Sequence, residues 1–438
     1  MVTVFISAFL ASAAFEPIGI WYAAIVGFAL FFRKFRSSKN PLRHSLIFGF
    51  ILNAIVLHWS GKYVGALPWL FLASLQAIFY LPIGWIYSRT RSLWWSALTL
   101  LLMEELRSRV PFGGFGWTRV AFSQVDSPAL PIVSLGGVLA LTAVTIATAV
   151  LLTQLQLRNL LTVAVIFLAA TFLPNNPEGS GSIRLLAVQG NTPEVGLDFN
   201  SRARAVFNLH RDATREFSKG SFDAIVWPEN AIDIDPKLHP DVAADISSLT
   251  KELGAPLIAG VVQKGVGGPE NASIMYSEEG LLQSSYIKRG LTPFGEYMPF
   301  RKLAEFISPQ AERVTDFIPG DKRIVHQIAG EKIGPIICYE IILDGLVRDM
   351  AQNSKALIVQ TNSATFANTS ESAQQLAIMR IRAVEHSRHI LAVSTVGISA
   401  FIDNNGRVIS KTEENEKSFL MGELKLNNHR TISNRIYR

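Results

Sequence analysis

The chain has 438 residues, 49% of them hydrophobic and only 17% charged, a balance well to the apolar side of ordinary soluble domains. Its net charge of +6 does not read as a nucleic-acid footprint, because much of the positive charge lies in short loops between apolar stretches. A single cysteine, Cys338, excludes an internal disulfide framework, and the sequence holds no phosphate-binding glycine loop, CxxC pair or HExxH helix. His386 and His389 are three apart but lack other ligands nearby, so neither a metal nor an organic cofactor is expected.

Seven apolar stretches come first, at 2–14, 18–32, 45–59, 66–87, 93–106, 129–152 and 160–173. Several fall short of the about 20 residues that a perpendicular span needs, so a transmembrane domain of about seven helices over 1–174 requires tilt, flanking aromatics or local thinning of the bilayer. The first stretch lacks a basic leading region and another follows at once, so it does not read as a cleaved signal. Arg33, Lys34, Arg36, Lys39 and Arg43 lie between the second and third stretches, Arg89 and Arg91 between the fourth and fifth, and Arg158 between the sixth and seventh. If every stretch spans, these loops share one side, which the positive-inside rule makes cytoplasmic, and everything after Ser182 lies outside the cytoplasmic membrane. Glu104 and Glu105, beside Arg107 and Arg109, read as interfacial anchors with local ion pairs, and the segment 111–117 as an outer loop at headgroup level.

A polar, Gly/Pro-rich linker at 175–183 separates this half from a domain at 184–425 with the composition of a soluble protein, followed by a tail at 426–438. Strands are expected at 183–189, 224–227, 257–263, 272–276, 281–287, 333–338, 356–360, 391–394 and 398–403, with helices at 201–218, 241–253 and 371–388. The alternation points to an α/β layered domain with mixed sheets.

Glu229, Lys288 and Cys338 each end or closely follow a short apolar strand, where rigid backbone can bring distant side chains together. Singly, such a cysteine is more often a packing residue, and such a Glu or Lys a solvated rim residue. Together they make a coherent nucleophilic set. A thiol with a pKa near about 8.5 is mostly protonated at neutral pH, so a nucleophilic Cys338 needs a base or a cation beside it. Glu229 can take the proton if its environment raises its pKa, and the natural role of the Lys288 ammonium is to stabilise thiolate and oxyanion, with no histidine required.

At these residues the chain resembles the nitrilase superfamily, whose members carry a Glu, Lys and Cys triad on an αββα sandwich. Val188-Gln-Gly-Asn191, Trp227-Pro-Glu229, Tyr286-x-Lys288, Pro293-Phe-Gly-Glu296-Tyr-Met-Pro299 and Ile337-Cys-Tyr-Glu340 narrow the resemblance to the bacterial apolipoprotein N-acyltransferases. Glu105-Leu-Arg107, Phe115-Gly-Trp117, Phe122-Ser-Gln124, Arg382-Ala-x-Glu385 and Gly397-Ile-Ser-Ala400 extend it over nearly the whole chain. The resemblance implies an integral membrane helical bundle followed by an extracytoplasmic nitrilase-like αββα sandwich. It implies Glu229 as base, Lys288 as oxyanion stabiliser and Cys338 as nucleophile, with Glu296, Tyr339 and Glu340 supporting the site. Glu296 would hold Lys288 and Glu340 would orient the substrate or the thiol's neighbours, unless these glutamates belong to salt-bridged loops. The implied reaction moves an acyl chain from a membrane phospholipid, through a Cys338 thioester, to the α-amine of a diacylglyceryl-modified lipoprotein. After Thr361-Asn362 the family usually reads Asp-Ala-Trp-Phe-Gly, here Ser363-Ala-Thr-Phe-Ala367, and a tryptophan expected after the Gln-Gly-Asn run gives way to Leu197 and Phe199. These departures imply altered selectivity or speed with the triad chemistry intact.

Two other readings stay open on the sequence: a membrane-anchored amidase or esterase in which water resolves the acyl-enzyme, and a catalytically impaired paralogue that binds lipoproteins or lipids. A transporter fits poorly, since the stretches lack a row of charged or broken-helix sites.

Overall fold

The computed structural model describes residues 1–197, 203–217, 220–307, 311–312 and 314–436. Phe199 and the two ends of the helix expected at 201–218 lie outside the described residues; the helix there runs Ala205–Glu216. The chain divides into two compact units, Met1–Asn176 with Ala373–Glu385 and Thr431–Arg438, and Pro177–Ser372 with His386–Arg430.

The first unit is helical: α1 (Val2–Ser12), α2 (Trp21–Arg36), α3 (Pro41–Val56), α4 (Ala66–Ile78), α5 (Leu81–Thr90), α6 (Leu93–Arg107), α7 (Val133–Leu152) and α8 (Leu157–Thr171). Among the described residues, Ala66–Thr90 and Leu130–Leu152 are long and apolar enough to cross a membrane, and Val2–Ser12, Pro41–Val56 and Leu157–Thr171 are shorter apolar helices. The stretch at 66–87 is broken between α4 and α5, where Pro82 occupies the first turn of the new helix and cannot donate back to the old one. Phe28, Phe31, Phe32, Phe35 and Phe48 fill the interior, Phe31 stacking on Phe48 with centroids 4.1 Å apart, while Phe71, Leu102, Val165 and Phe172 stand exposed on a surface that water disfavours.

The segment at 111–117 turns inward only at its end: Gly113 is exposed and Pro111, Phe112 and Phe115 are half-buried, whereas Trp117 and the following Thr118 and Arg119 are buried. The Arg107 guanidinium pulls it in, donating to Thr118 O at 2.6 Å, Thr118 Oγ1 at 2.5 Å, Gln76 Oε1 at 3.1 Å and Glu104 at 3.2 Å. Glu104 also accepts from Val120 N and Thr142 Oγ1, and Glu105 pairs with Arg109 and Arg119. Buried charges are tolerated where opposite charges and hydrogen bonds compensate them, as these contacts do for Arg107 and Glu104.

The second unit holds β1 (Ser182–Gln189), β2 (Ala224–Val226), β3 (Leu257–Lys264), β4 (Pro269–Tyr276), β5 (Leu282–Ile287), β6 (His326–Ile328), β7 (Glu331–Ile337), β8 (Ala356–Thr361), β9 (Ile390–Ser394), β10 (Ala400–Ile402), β11 (Val408–Lys411) and β12 (Ser418–Lys425). They form two six-stranded sheets, ordered β12-β1-β2-β3-β4-β5 and β11-β10-β9-β8-β7-β6. Period-two alternation builds two layers of core from one strand. Ile183, Leu185 and Ala187 join Ile333, Ile358, Leu391 and Val393 in the core shared by both sheets. Leu186 and Val188 point the other way, onto Phe207, Val242, Ile246 and Leu249 of the helices Ala205–Glu216 and Pro240–Leu253. Helix Asp344–Gln352 packs on β7 and β8. The result is the layered α/β sandwich with two mixed sheets.

Three strands escape sequence reading: β6, β11 and β12. β12 pairs antiparallel with β1 along its full length, yet as an edge strand it stays half exposed, which dilutes the apolar alternation.

Candidate active site

Glu229 follows β2 and Lys288 follows β5 in the first sheet, whereas Cys338 follows β7 in the second. Hydrogen bonds between the sheets register their ends: Gln360 Nε2 donates to Trp227 O at 2.6 Å, and Asn362 N donates to Glu229 Oε2 at 2.8 Å. The turn carrying Glu229 lies so close to β3 that a Cβ on Gly260 would meet Pro228 O at 2.4 Å and Glu229 Cα at 2.5 Å. Only glycine admits that approach.

Lys288, 1% exposed, lies between two carboxylates, its Nζ 3.1 Å from Glu229 Oε1 and 2.8 Å from Glu296 Oε2. Asn271 Nδ2 donates to both acids, to Glu229 Oε1 at 2.7 Å and to Glu296 Oε1 at 2.8 Å. The antiparallel pairing of β4 with β5 explains this: Asn271 lies opposite Lys288 and accepts its backbone N–H at 2.8 Å. Thr292 N completes Glu296 at 2.8 Å. Burial alone would push the Lys288 ammonium down, but Glu229 and Glu296 outweigh it and hold its pKa above the ordinary lysine value. Burial likewise pushes Glu296 up, and Lys288 and its hydrogen bonds pull it below the usual carboxylate range.

Cys338 has φ +48°, in the left-handed region that a non-glycine residue occupies only at a cost of about 1–3 kcal/mol. The turn is held by Glu340. Its Oε2 accepts Ile337 N at 2.8 Å, and its Oε1 accepts Arg289 N at 2.7 Å, Gly290 N at 3.0 Å and Tyr286 Oη at 2.8 Å. This fully buried carboxylate therefore ties the cysteine turn to the segment that bears Lys288. Burial raises the pKa of Glu340 against those hydrogen bonds, and burial followed by the Glu340 charge raises that of the Tyr286 phenol. Tyr339 is buried in the same turn, its phenol pushed up by burial and then by Tyr297.

Cys338 is half-buried as a residue, and its thiol is enclosed densely enough that burial, then the Glu229 charge, pushes its pKa well above the ordinary thiol value, with Lys288 pulling against them. A proton lost from Cys338 to solvent would add negative charge beside these acids, whereas one passed to a neighbouring carboxylate would leave the charge of the cluster unchanged.

Glu229, Lys288 and Glu296 are in direct contact, and Cys338 lies in their electrostatic field. Asn271, Tyr286 and the Asn362 amide were not assigned roles from sequence. Asn271 carries one signal, a polar side chain within a strand whose other residues from Ala272 onward are buried.

Residues 7–151 match the family described as apolipoprotein N-acyltransferase N-terminal domain, and residues 185–433 match the carbon-nitrogen hydrolase family. An apolipoprotein N-acyltransferase of Mycolicibacterium smegmatis is 31% identical over 462 residues, covering 94% of this chain and 78% of that protein. The chain belongs to the apolipoprotein N-acyltransferase family. Another member, from Pseudomonas syringae pv. tomato, is 27% identical, covering 95% of this chain and 88% of its own. A solved amidase from Nesterenkonia sp. aligns at 16% identity with a TM-score of 0.44, covering 57% of this chain and 94% of its own. Membership makes the chain an acyltransferase of a family that joins an N-terminal domain to a carbon-nitrogen hydrolase domain.

Proposed function

We propose that this chain N-acylates lipoproteins in two half-reactions at Cys338, on the extracytoplasmic side of a membrane that its first unit spans several times. In the first, the Cys338 Sγ attacks an ester carbonyl of a phospholipid while its proton passes to Glu229. The tetrahedral oxyanion is stabilised by the Lys288 ammonium. Collapse breaks the ester C–O bond, the glycerol oxygen takes the proton back from Glu229, and a lysophospholipid leaves a thioester on Cys338.

In the second half-reaction the α-amine of a diacylglyceryl-cysteine attacks the thioester carbonyl and gives its proton to Glu229. The C–S bond breaks, the amide forms, and the thiolate recovers the proton. Splitting one acyl transfer into two steps lets the amine attack a thioester, whose thiolate leaves far more readily than a glycerol alkoxide, and lets donor and acceptor use the same site in turn. A helical membrane unit suits a reaction whose donor and acceptor are both lipids, and the mechanism asks for no metal or organic cofactor.

The observation that carries the reading is Lys288 Nζ held at 3.1 Å from Glu229 and 2.8 Å from Glu296 in a chain of this family, beside a cysteine at a strained strand end. The test is intact-mass analysis after incubation with phospholipid vesicles. Wild type is expected to gain a fatty-acyl mass that Cys338→Ala does not, and to pass it to an added diacylglyceryl-cysteine peptide. Transfer that persists in Cys338→Ala would overturn the assignment, and release of free fatty acid without any peptide product would make the enzyme a hydrolase.

A further inference from the structure

A fourth carboxyl, which the mechanism above does not use, lies near the nucleophile. Glu371 opens the helix Glu371–His386 and is 2% exposed. Its carboxylate accepts hydrogen bonds from the Ser363 and Ser372 hydroxyls, the latter at 3.4 Å. Both hydroxyls belong to a ring closed by Ser394: a Cβ on Gly397 would meet Ser372 Oγ at 2.7 Å and Ser363 and Ser394 Oγ at 2.8 Å each. Ser363 directly follows Asn362, whose backbone N–H binds Glu229. The base and Glu371 are therefore held by consecutive residues of one turn after β8, and Glu371 stands in electrostatic reach of both Glu229 and Cys338.

We propose that Glu371 is a positioning residue for the nucleophile: it touches no reacting atom, and its charge, set through Ser363, governs how readily Cys338 gives up its proton. This rests on Cys338 being the nucleophile. Burial holds the Glu371 carboxyl at about 7, with Ser363 and Ser372 pulling it down and Glu414 and Glu229 pushing it further up. The ionisable groups acting on Cys338 are Glu229, Lys288, Glu371 and Glu296. Below that pH Glu371 is neutral and the thiol meets one negative charge fewer. Above it, ionised Glu371 opposes the thiolate.

Cys338 is the only thiol in the chain, so alkylation of the whole protein by iodoacetamide, read by intact mass, reports this residue alone. Log rate against pH should rise in a straight line for Glu371→Gln, whose amide mimics the neutral acid. In wild type it should bend below that line near pH 7 and lag, by up to about tenfold for one pKa unit of coupling, at the alkaline end. A ratio of the two rates that is constant across the range, or a Glu371→Gln rate below wild type in alkali, overturns the proposal. If Glu371→Gln does not fold, Ser363→Ala decides: loss of a hydrogen bond that favours the carboxylate should move the bend to higher pH, and an unmoved bend counts against the proposal. Because alkylation needs no lipid, the result stands apart from whether phospholipid acylates Cys338.

Discussion

Glu340 accepts the backbone N–H of Ile337 at 2.8 Å, fixing the residue immediately before the nucleophile. Its other oxygen collects three donors from 286–290, so one side chain sets the spacing between the cysteine turn and the lysine strand end. These four partners are two kinds of neutral donor, backbone amide and phenol, so the residue works as a clamp through acceptor geometry.

Glu340→Gln therefore is not a conservative change. A glutamine can keep one oxygen on the three donors, but its NH₂ then faces Ile337 N–H and leaves a buried donor unmatched, at about 1–3 kcal/mol. The expected outcome is a lowered Tm of the detergent-solubilised protein together with slower thioester formation, the strained φ of Cys338 having lost its restraint. A variant with wild-type Tm and wild-type acylation rate would show that the clamp is dispensable.

Glu229→Gln should separate catalysis from stability. Lys288 keeps Glu296 as its partner at 2.8 Å and the amide oxygen can still accept from Asn271, while the NH₂ then faces Asn362 N–H, so the fold is expected to survive with a Tm lowered only by that one unmatched donor. Without a base the enclosed thiol has nowhere to send its proton, and acyl-enzyme formation should fall by about 10²- to 10⁴-fold. Intact-mass time courses against a Tm comparison check both halves of this statement.

Lys288→Met removes the one cation from between two buried acids, and breaking such a pair costs about 3–5 kcal/mol. The pH dependence follows from the shifts. Glu296 is depressed in the folded protein, so its contribution is present above the unfolded carboxyl value of about 4.3 and is lost as pH falls through the lower folded value. Lys288 is raised, so its contribution is full below the unfolded value of about 10.4 and is lost only as pH rises through the higher folded one. The Tm gap between wild type and Lys288→Met should be a plateau between those limits and should narrow in acid. A gap that widens in acid would contradict the ion-pair account.

Much of the second unit was legible because most of its strands are short, carry apolar runs and are punctuated by turn residues. The ends of β2, β5 and β7 could be marked, and with them Glu229, Lys288 and Cys338, from local pattern alone. Asn271 was not, because its role depends on the β4–β5 register and on a partner 42 residues away. Glu371 reads locally as an ordinary acid in a first helical turn, where the macrodipole favours it, and only the fold reveals the three hydroxyls and the burial. In the first unit, hydropathy located the helices but not the break between α4 and α5, nor the inward packing of 117–119, since both follow from a proline and from arginine hydrogen bonds rather than from apolarity.

Gln374 satisfies four groups of the first unit at once. Its oxygen accepts the indole N–H of Trp59 at 3.0 Å and of Trp117 at 2.8 Å, and its NH₂ donates to Glu16 O and Val56 O at 3.1 Å each. Gln374→Ala leaves two buried indole donors unmatched at about 1–3 kcal/mol apiece and takes the donor from two carbonyls. The expected outcome is a Tm below wild type, with tryptophan emission shifted to the red as water reaches the rings. An alanine variant as stable as wild type would mean that the indoles find other acceptors and that the residue merely fills space.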